Sequence, residues 1–258
     1  PGMGKTSFAL QLAYNVAGRG EPVAFFSLEM PVEQLAQRAQ AVTSGLPLER
    51  IRQPKTMDEN DWAIFTPAAA QVGSAAITFA DMPSLGIRDI RAKARQVHRK
   101  TPLRLIVVDY LQLIPGESRH NNRNSEIEQI SRALKQLARE LKCPVVCLSQ
   151  LNRDLEKRNN KRPMLSDLRD SGSIEQDADL VLSIYRDDVY EEDSPHANIA
   201  EVSLIKHRNG ALGTVEMYWH AECVRFQPYT GPNRREREPQ KAAGQSSFAT
   251  QYRKRVAK

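Results

Sequence analysis

The sequence predicts an α/β fold with a mostly parallel, twisted sheet flanked by helices. Three observations predict it. Short apolar runs alternate with segments of helical periodicity along most of the chain. The chain opens on Gly2-Met3-Gly4-Lys5-Thr6-Ser7, the back half of a G-x-x-x-x-G-K-[ST] phosphate loop leading into a helix. Three apolar runs end in a polar residue (Glu29, Asp109 and Gln150), as happens where parallel strands present their C-terminal ends at one edge.

Taken in order, the phosphate loop comes first. Its backbone N–H groups and the start of the following helix suit phosphate oxygens. Lys5 would neutralise the β and γ oxygens, and Thr6 would ligate Mg²⁺. The first glycine of the motif falls one position before residue 1, so the chain reads as a fragment cut inside the loop. Strands are expected at 23–28, 76–80, 103–108, 144–149, 180–185, 200–206 and 214–219. The last two are expected to form an antiparallel edge pair, because Asn209-Gly210 and Gly213 supply turn chemistry between them. The clearest helix covers 125–142: Ile127, Ile130, Leu134, Leu137 and Leu141 make one apolar face, and Ser125 with Glu128 matches a capping box. Segments 116–124, 153–166 and 187–198 are polar and long enough for functional loops.

The 258 residues hold 37 Lys+Arg and 31 Asp+Glu, a formal charge of +6. Residues 231–258 carry eight Lys/Arg and two Glu, so this aperiodic tail holds the whole excess and residues 1–230 are neutral. The basic pI is therefore not by itself evidence that the body binds nucleic acid. No apolar run approaches the roughly 18 residues of a membrane span, which excludes a transmembrane class. Cys143, Cys147 and Cys223 form no C-x-x-C pair, which fits a reducing, cytoplasmic compartment. The histidines show no metal-ligand spacing with them.

The chemistry concentrates at the strand ends. Asp109 closes the apolar run Leu105-Ile106-Val107-Val108, where a carboxylate beside a phosphate loop holds Mg²⁺. Glu29 has the chemistry to orient and deprotonate a water. Gln150 is neutral and can only hydrogen-bond, as suits a γ-phosphate sensor.

With these residues in order, the strings GMGKT (2–6), SLEM (27–30), VVDYLQLI (107–114), LSQLNR (148–153), DLRDSGSIEQDAD (167–179) and KHRNGALG (206–213) are met. Together they resemble the C-terminal RecA-like motor domain of the replicative DnaB-type DNA helicases, over residues 1 to about 228. The resemblance implies a RecA-like ATPase domain at 1–230 and a helicase motor driven by ATP or another NTP with Mg²⁺. The motor would move 5′ to 3′ on single-stranded DNA and unwind forked DNA. It would act as a homohexamer with nucleotide at subunit interfaces, with a primase and a helicase loader as partners. It also implies Glu29 as catalytic base, Asp109 as metal carboxylate, Gln150 as sensor, and Lys206 and Arg208 as cations reaching a neighbour's γ-phosphate. His207 departs from the more usual glutamine between those cations, and strand alternation is expected to point it away from them. Arg153, Asp170 and Gly172 match the family's DNA-gripping loops, with Asp170 acting through its main chain. Those loops contain no aromatic residue, so backbone tracking without base stacking is expected.

Two alternatives stand beside this reading. One is a RecA-like recombination ATPase, although the DYLQL and SGSIEQDAD strings separate this chain from that branch. The other is a nucleotide-gated DNA-binding or loader-docking module without hydrolysis, which the presence of both Glu29 and Asp109 argues against.

Overall fold

The computed structural model describes residues 2–81, 85–115 and 123–232. Its centre is a four-stranded parallel sheet in the order β2-β1-β3-β4, made of β1 (Val23–Ser27), β2 (Ile77–Ala80), β3 (Leu105–Asp109) and β4 (Val145–Cys147). Both faces are covered, and this is why β1 and β3 are buried at every position. Val23, Phe25, Leu105 and Val107 face α1 (Lys5–Ala17) and α2 (Val32–Ser44), meeting Ala9, Leu10, Ala13 and Leu35. Ala24, Phe26, Ile106 and Val108 face α5 (Ile87–Lys100) and α6 (Arg123–Leu141), meeting Ile90, Ala94, Ile130, Leu134 and Leu137. Truncating a fully buried residue such as Ile106 to Ala would cost about 2–5 kcal/mol. Between β1 and β2 the chain runs through α2, α3 (Leu48–Arg52) and α4 (Glu59–Ser74).

The strand order fixes where a ligand can sit. From β1 the chain moves outward to β2, then returns through α5 to β3 on the other side of β1. Connections therefore diverge between β1 and β3, and the crevice lies at their C-terminal ends.

The seven expected strands all form. The antiparallel part is larger than expected: β5 (Leu180–Arg186), β6 (Ile199–His207), β7 (Gly213–His220) and β8 (Arg225–Pro228) make a separate sheet in that order. β6 is therefore an interior strand and not the edge that the turn signals suggested. β8 was missed because Arg225-Phe226-Gln227-Pro228 is too short to show periodicity. Asn209-Gly210 does form the β6–β7 turn. The His207 ring lies across Gly210, and its Nδ1 is 3.2 Å from the Ala211 carbonyl oxygen.

α6 also departs from expectation. It begins at Arg123, so Ser125 lies inside the helix and is not its cap. Arg123 accounts for the early start: its guanidinium donates to Glu126 at 2.6 Å and to the carbonyls of Gln112 and Ile114 at 2.7 and 3.1 Å, tying the first turn to the segment after β3. Most of the 116–124 loop and of the basic tail lies outside the described residues. The 153–166 and 187–198 segments open on 3₁₀ turns, Arg153–Lys157 and Asp187–Val189. Among the described residues no helix is long and apolar enough to cross a membrane. The three cysteines are free, and burial pushes the Cys143 thiol up to about 11 and the Cys147 thiol up to about 12.

Candidate nucleotide-binding site

The phosphate loop owes its shape to two glycines. Gly2 and Gly4 have φ of +78° and +89°, a region L-residues avoid. A Cβ on Gly4 would also come within 2.9 Å of the Phe226 ring. Gly4 is the N-cap of α1, so the first free amides of that helix point out of the loop. The loop is fastened from behind by the antiparallel sheet. Gln11 donates to the Phe226 carbonyl at 2.7 Å and accepts from the Phe226 amide at 3.0 Å, while Phe8 and Trp219 pack on the Phe226 ring.

The expected strand-end residues converge on this loop. Ser27 and Asp109 are paired across β1 and β3, and the Leu28 amide donates to the Asp109 carbonyl at 2.8 Å. The buried Ser27 hydroxyl donates to the Met30 carbonyl at 2.6 Å and accepts from the Met30 amide at 3.2 Å, closing a turn that leaves Glu29 exposed. β4 pairs with β3 up to Cys147, and three residues on Gln150 is exposed at the same edge. Lys5 spans the crevice, its ammonium donating to the Ser149 carbonyl at 3.0 Å.

The charges act on one another. Burial lowers the Lys5 pKa, opposed by the carboxylates of Asp109 and Glu29. Burial raises the Asp109 carboxyl above its ordinary range; a hydrogen bond from Thr6 opposes this, the Glu29 charge adds to it, and Lys5 and Arg38 oppose it. Asp109 Oδ2 is buried and has no hydrogen-bond partner. A buried carboxylate oxygen left open beside a threonine hydroxyl fits a hard divalent cation such as Mg²⁺. Among the described residues no three His, Cys, Asp or Glu side chains gather as a self-sufficient metal site, so phosphate and water would complete such a shell.

Arg38 of α2 also belongs here, although no motif marks it. It donates to the Ser7 hydroxyl at 3.2 Å. Burial is the largest influence on its guanidinium, whose pKa is lowered, and Asp109 and Glu29 act on it in the opposite direction. An isolated arginine on an amphipathic helix carries no spacing signal, so only the fold reveals it.

Lys206 and Arg208 are not brought to the phosphate loop. Both fold back onto the end of α7 (Gly172–Asp177). Lys206 donates to the Glu175 carbonyl and, at 2.7 Å, to that of Ala178. Arg208 donates to the Gln176 carbonyl at 3.0 Å and pairs with Asp179 at 3.1 Å. Asp179 also pairs with Lys135, which with Arg208 holds its carboxyl below the ordinary range. His207 points the other way, as alternation predicted. Arg153 opens a 3₁₀ turn, Asp170 lies in the 3₁₀ helix Leu165–Ser171, and Gly172 begins α7. These segments are short helices where loops were expected. The side chains of Arg153 and Asp170 lie outside the described residues.

A doubly covered parallel sheet, a glycine-shaped phosphate loop at its switch point and an open carboxylate on the adjacent strand define a P-loop NTPase domain of the RecA-like type. Residues 1–228 match the DnaB-like helicase C-terminal domain family, and the chain belongs to that family. It is 48% identical over 228 residues to the replicative DNA helicase DnaB of Geobacillus stearothermophilus, covering 88% of this chain and 50% of that protein. It is 45% identical to the replicative DNA helicase DnaC of Bacillus subtilis (strain 168), with the same shares covered. Among solved structures it is similar to an ATPase domain determined on its own, with a TM-score of 0.86, 39% identity, and 89% of this chain and 82% of that one covered. A DnaB-like replicative helicase studied for its interactions with primase matches at the same TM-score and identity, over 89% of this chain and 55% of that one. The chain spans about half the length of the curated relatives it matches.

Proposed function

We propose that this chain is the NTP-hydrolysing motor of a replicative DNA helicase, working as one subunit of a homohexamer on single-stranded DNA. The observation that carries the reading is the convergence of Lys5, Thr6, Asp109 and Glu29 on one crevice, with an Asp109 oxygen left open. The loop amides and Lys5 hold the β and γ phosphates of ATP. Thr6 and Asp109 would hold Mg²⁺, which when bound offsets phosphate charge. Glu29 is exposed and accepts the proton as a water oxygen attacks the γ-phosphorus; the bond from phosphorus to the β–γ bridging oxygen breaks, and ADP leaves. Gln150 hydrogen-bonds the γ-phosphate and so distinguishes ATP from ADP. Lys206 and Arg208 serve the neighbouring subunit's nucleotide, which makes turnover depend on assembly. Arg153 and the backbone around Asp170 and Gly172 follow the DNA backbone. Strand opening at a fork, 5′-to-3′ movement, a primase and loader as partners and a cytoplasmic location follow from the family.

Phosphate release by the intact protein, with and without single-stranded DNA, tests this. Glu29→Gln is expected to keep nucleotide binding and to lose DNA-stimulated release; unchanged release removes Glu29 from the base role. Residues 1–230 form the ATPase domain in this reading and 231–258 a basic appendage. Deleting 231–258 is expected to weaken DNA affinity modestly and in a salt-sensitive way while sparing hydrolysis. Loss of hydrolysis would show the division to be misplaced.

A further inference from the structure

Gln112 is a residue that the nucleotide chemistry does not use, yet its side chain makes three contacts on one short segment. It lies in the 3₁₀ turn Leu111–Leu113 that follows β3, half-buried. Its Nε2 donates to the Ser149 hydroxyl at 2.8 Å and to the Gln150 carbonyl at 3.2 Å. Its Oε1 accepts the Gln150 amide at 3.2 Å. The side-chain amide thus gives and takes a hydrogen bond with the backbone of one residue, as a facing strand residue does in a ladder. The main-chain ladder between β3 and β4 ends just before this point. Its last paired residues are Val108 and Cys147, followed by the bonds of the Leu148 amide to Val108 and of the Leu111 amide to the Leu148 carbonyl, both 2.9 Å.

Gln112 is itself anchored. Leu111 is buried next to it, and the Gln112 carbonyl accepts from Arg123 at the start of α6 at 2.7 Å. On the other side, the segment is held by the Lys5 ammonium on the Ser149 carbonyl. A bound triphosphate would compete for that ammonium. The hold from Gln112 involves no group that phosphate needs, so it persists through binding.

We infer that Gln112 is a positioning residue that fixes the backbone of Gln150, so that the Gln150 side chain reads the γ-phosphate from a set direction. This deepens the proposed function and rests on the sensor role of Gln150. A sensor on an exposed strand end, without a fixed backbone, would lose discrimination to conformational averaging.

The test uses the intact protein and four forms: wild type, Gln112→Met, Gln150→Ala and the double variant. Methionine keeps the length and volume of glutamine without its amide. Equilibrium binding of ADP and of a slowly hydrolysed ATP analogue gives the affinity ratio. Gln112→Met is expected to lower that ratio about fivefold with ADP affinity unchanged, roughly the effect of one lost neutral hydrogen bond. The double variant should match Gln150→Ala alone. Hydrogen exchange across 148–152 in the nucleotide-free protein should be faster in Gln112→Met, a readout independent of turnover. Equal weakening of both nucleotides, a further multiplicative loss in the double variant, or unchanged exchange would each overturn the positioning role. A Gln150→Ala protein that keeps the wild-type ratio would instead overturn the sensor reading beneath it, while the exchange result still reports on the clamp.

Discussion

The two sheets present their functional charges in opposite conditions. At the edge of the parallel sheet an Asp109 oxygen is buried without a partner, and Lys5 spends its ammonium on a backbone carbonyl. On the antiparallel sheet Lys206 and Arg208 are engaged by the end of α7 and by Asp179. The first arrangement is completed by a ligand. The second must be undone before the same groups can serve one, so one chain can hold a prepared nucleotide site while its trans-acting cations stay at rest.

The largest expected effect separates the regions directly. In the assembled protein Arg208→Ala should slow hydrolysis by about 10³-fold or more, the usual worth of an arginine supplied across an interface. The nucleotide affinity of the chain itself should hold within about twofold, as equilibrium binding would show. A matching loss of affinity would mean that Arg208 works within its own chain, and the contrast would collapse.

Lys5→Ala should lower hydrolysis by about 10²–10³-fold. Here nucleotide affinity should fall as well, because the group belongs to the site that one chain completes. Binding and turnover measured together give the answer, and a variant impaired in turnover alone would place Lys5 with the trans-acting cations.

The smallest effect concerns the open carboxylate. The Asp109 pKa in the fold is raised, so the folded chain binds that proton more tightly than the unfolded chain. The charged form therefore destabilises the fold above the raised pKa, and the penalty disappears below the unfolded value. Asp109→Asn should raise the melting temperature of the nucleotide-free protein by a few degrees at neutral pH, and the gain should fade as pH falls through that window. Thermal melts across pH without nucleotide would check it. A lower melting temperature at neutral pH would mean that the Thr6 and Lys5 contacts outweigh the burial.

What could be read in advance divides along the same line. Lys5, Thr6, Glu29, Asp109 and Gln150 were legible because each sits at a fixed offset from a local pattern, a loop or the end of an apolar run. The parallel sheet followed from the same patterns. The resting places of Lys206 and Arg208 were not legible, since their partners Glu175, Gln176 and Asp179 lie about thirty residues away and are chosen by packing. Arg38 and β8 escaped for a related reason: a single cation and a four-residue strand have no period. The start of α6 was misplaced because Arg123 holds it through the carbonyls of Gln112 and Ile114, which no capping pattern encodes.

The clasp between Gln11 and Phe226 joins residues 215 positions apart. At ordinary rates of synthesis that interval is roughly 10 to 40 seconds of translation. During that time the glycine-rich turn has left the ribosome while the aromatic ring that backs it does not yet exist. The nascent phosphate loop therefore has to wait for nearly the last strand before it can close, so nucleotide competence arrives late and all at once. A chain interrupted before Phe226 would keep the motif in its sequence and lack the shape that makes it bind.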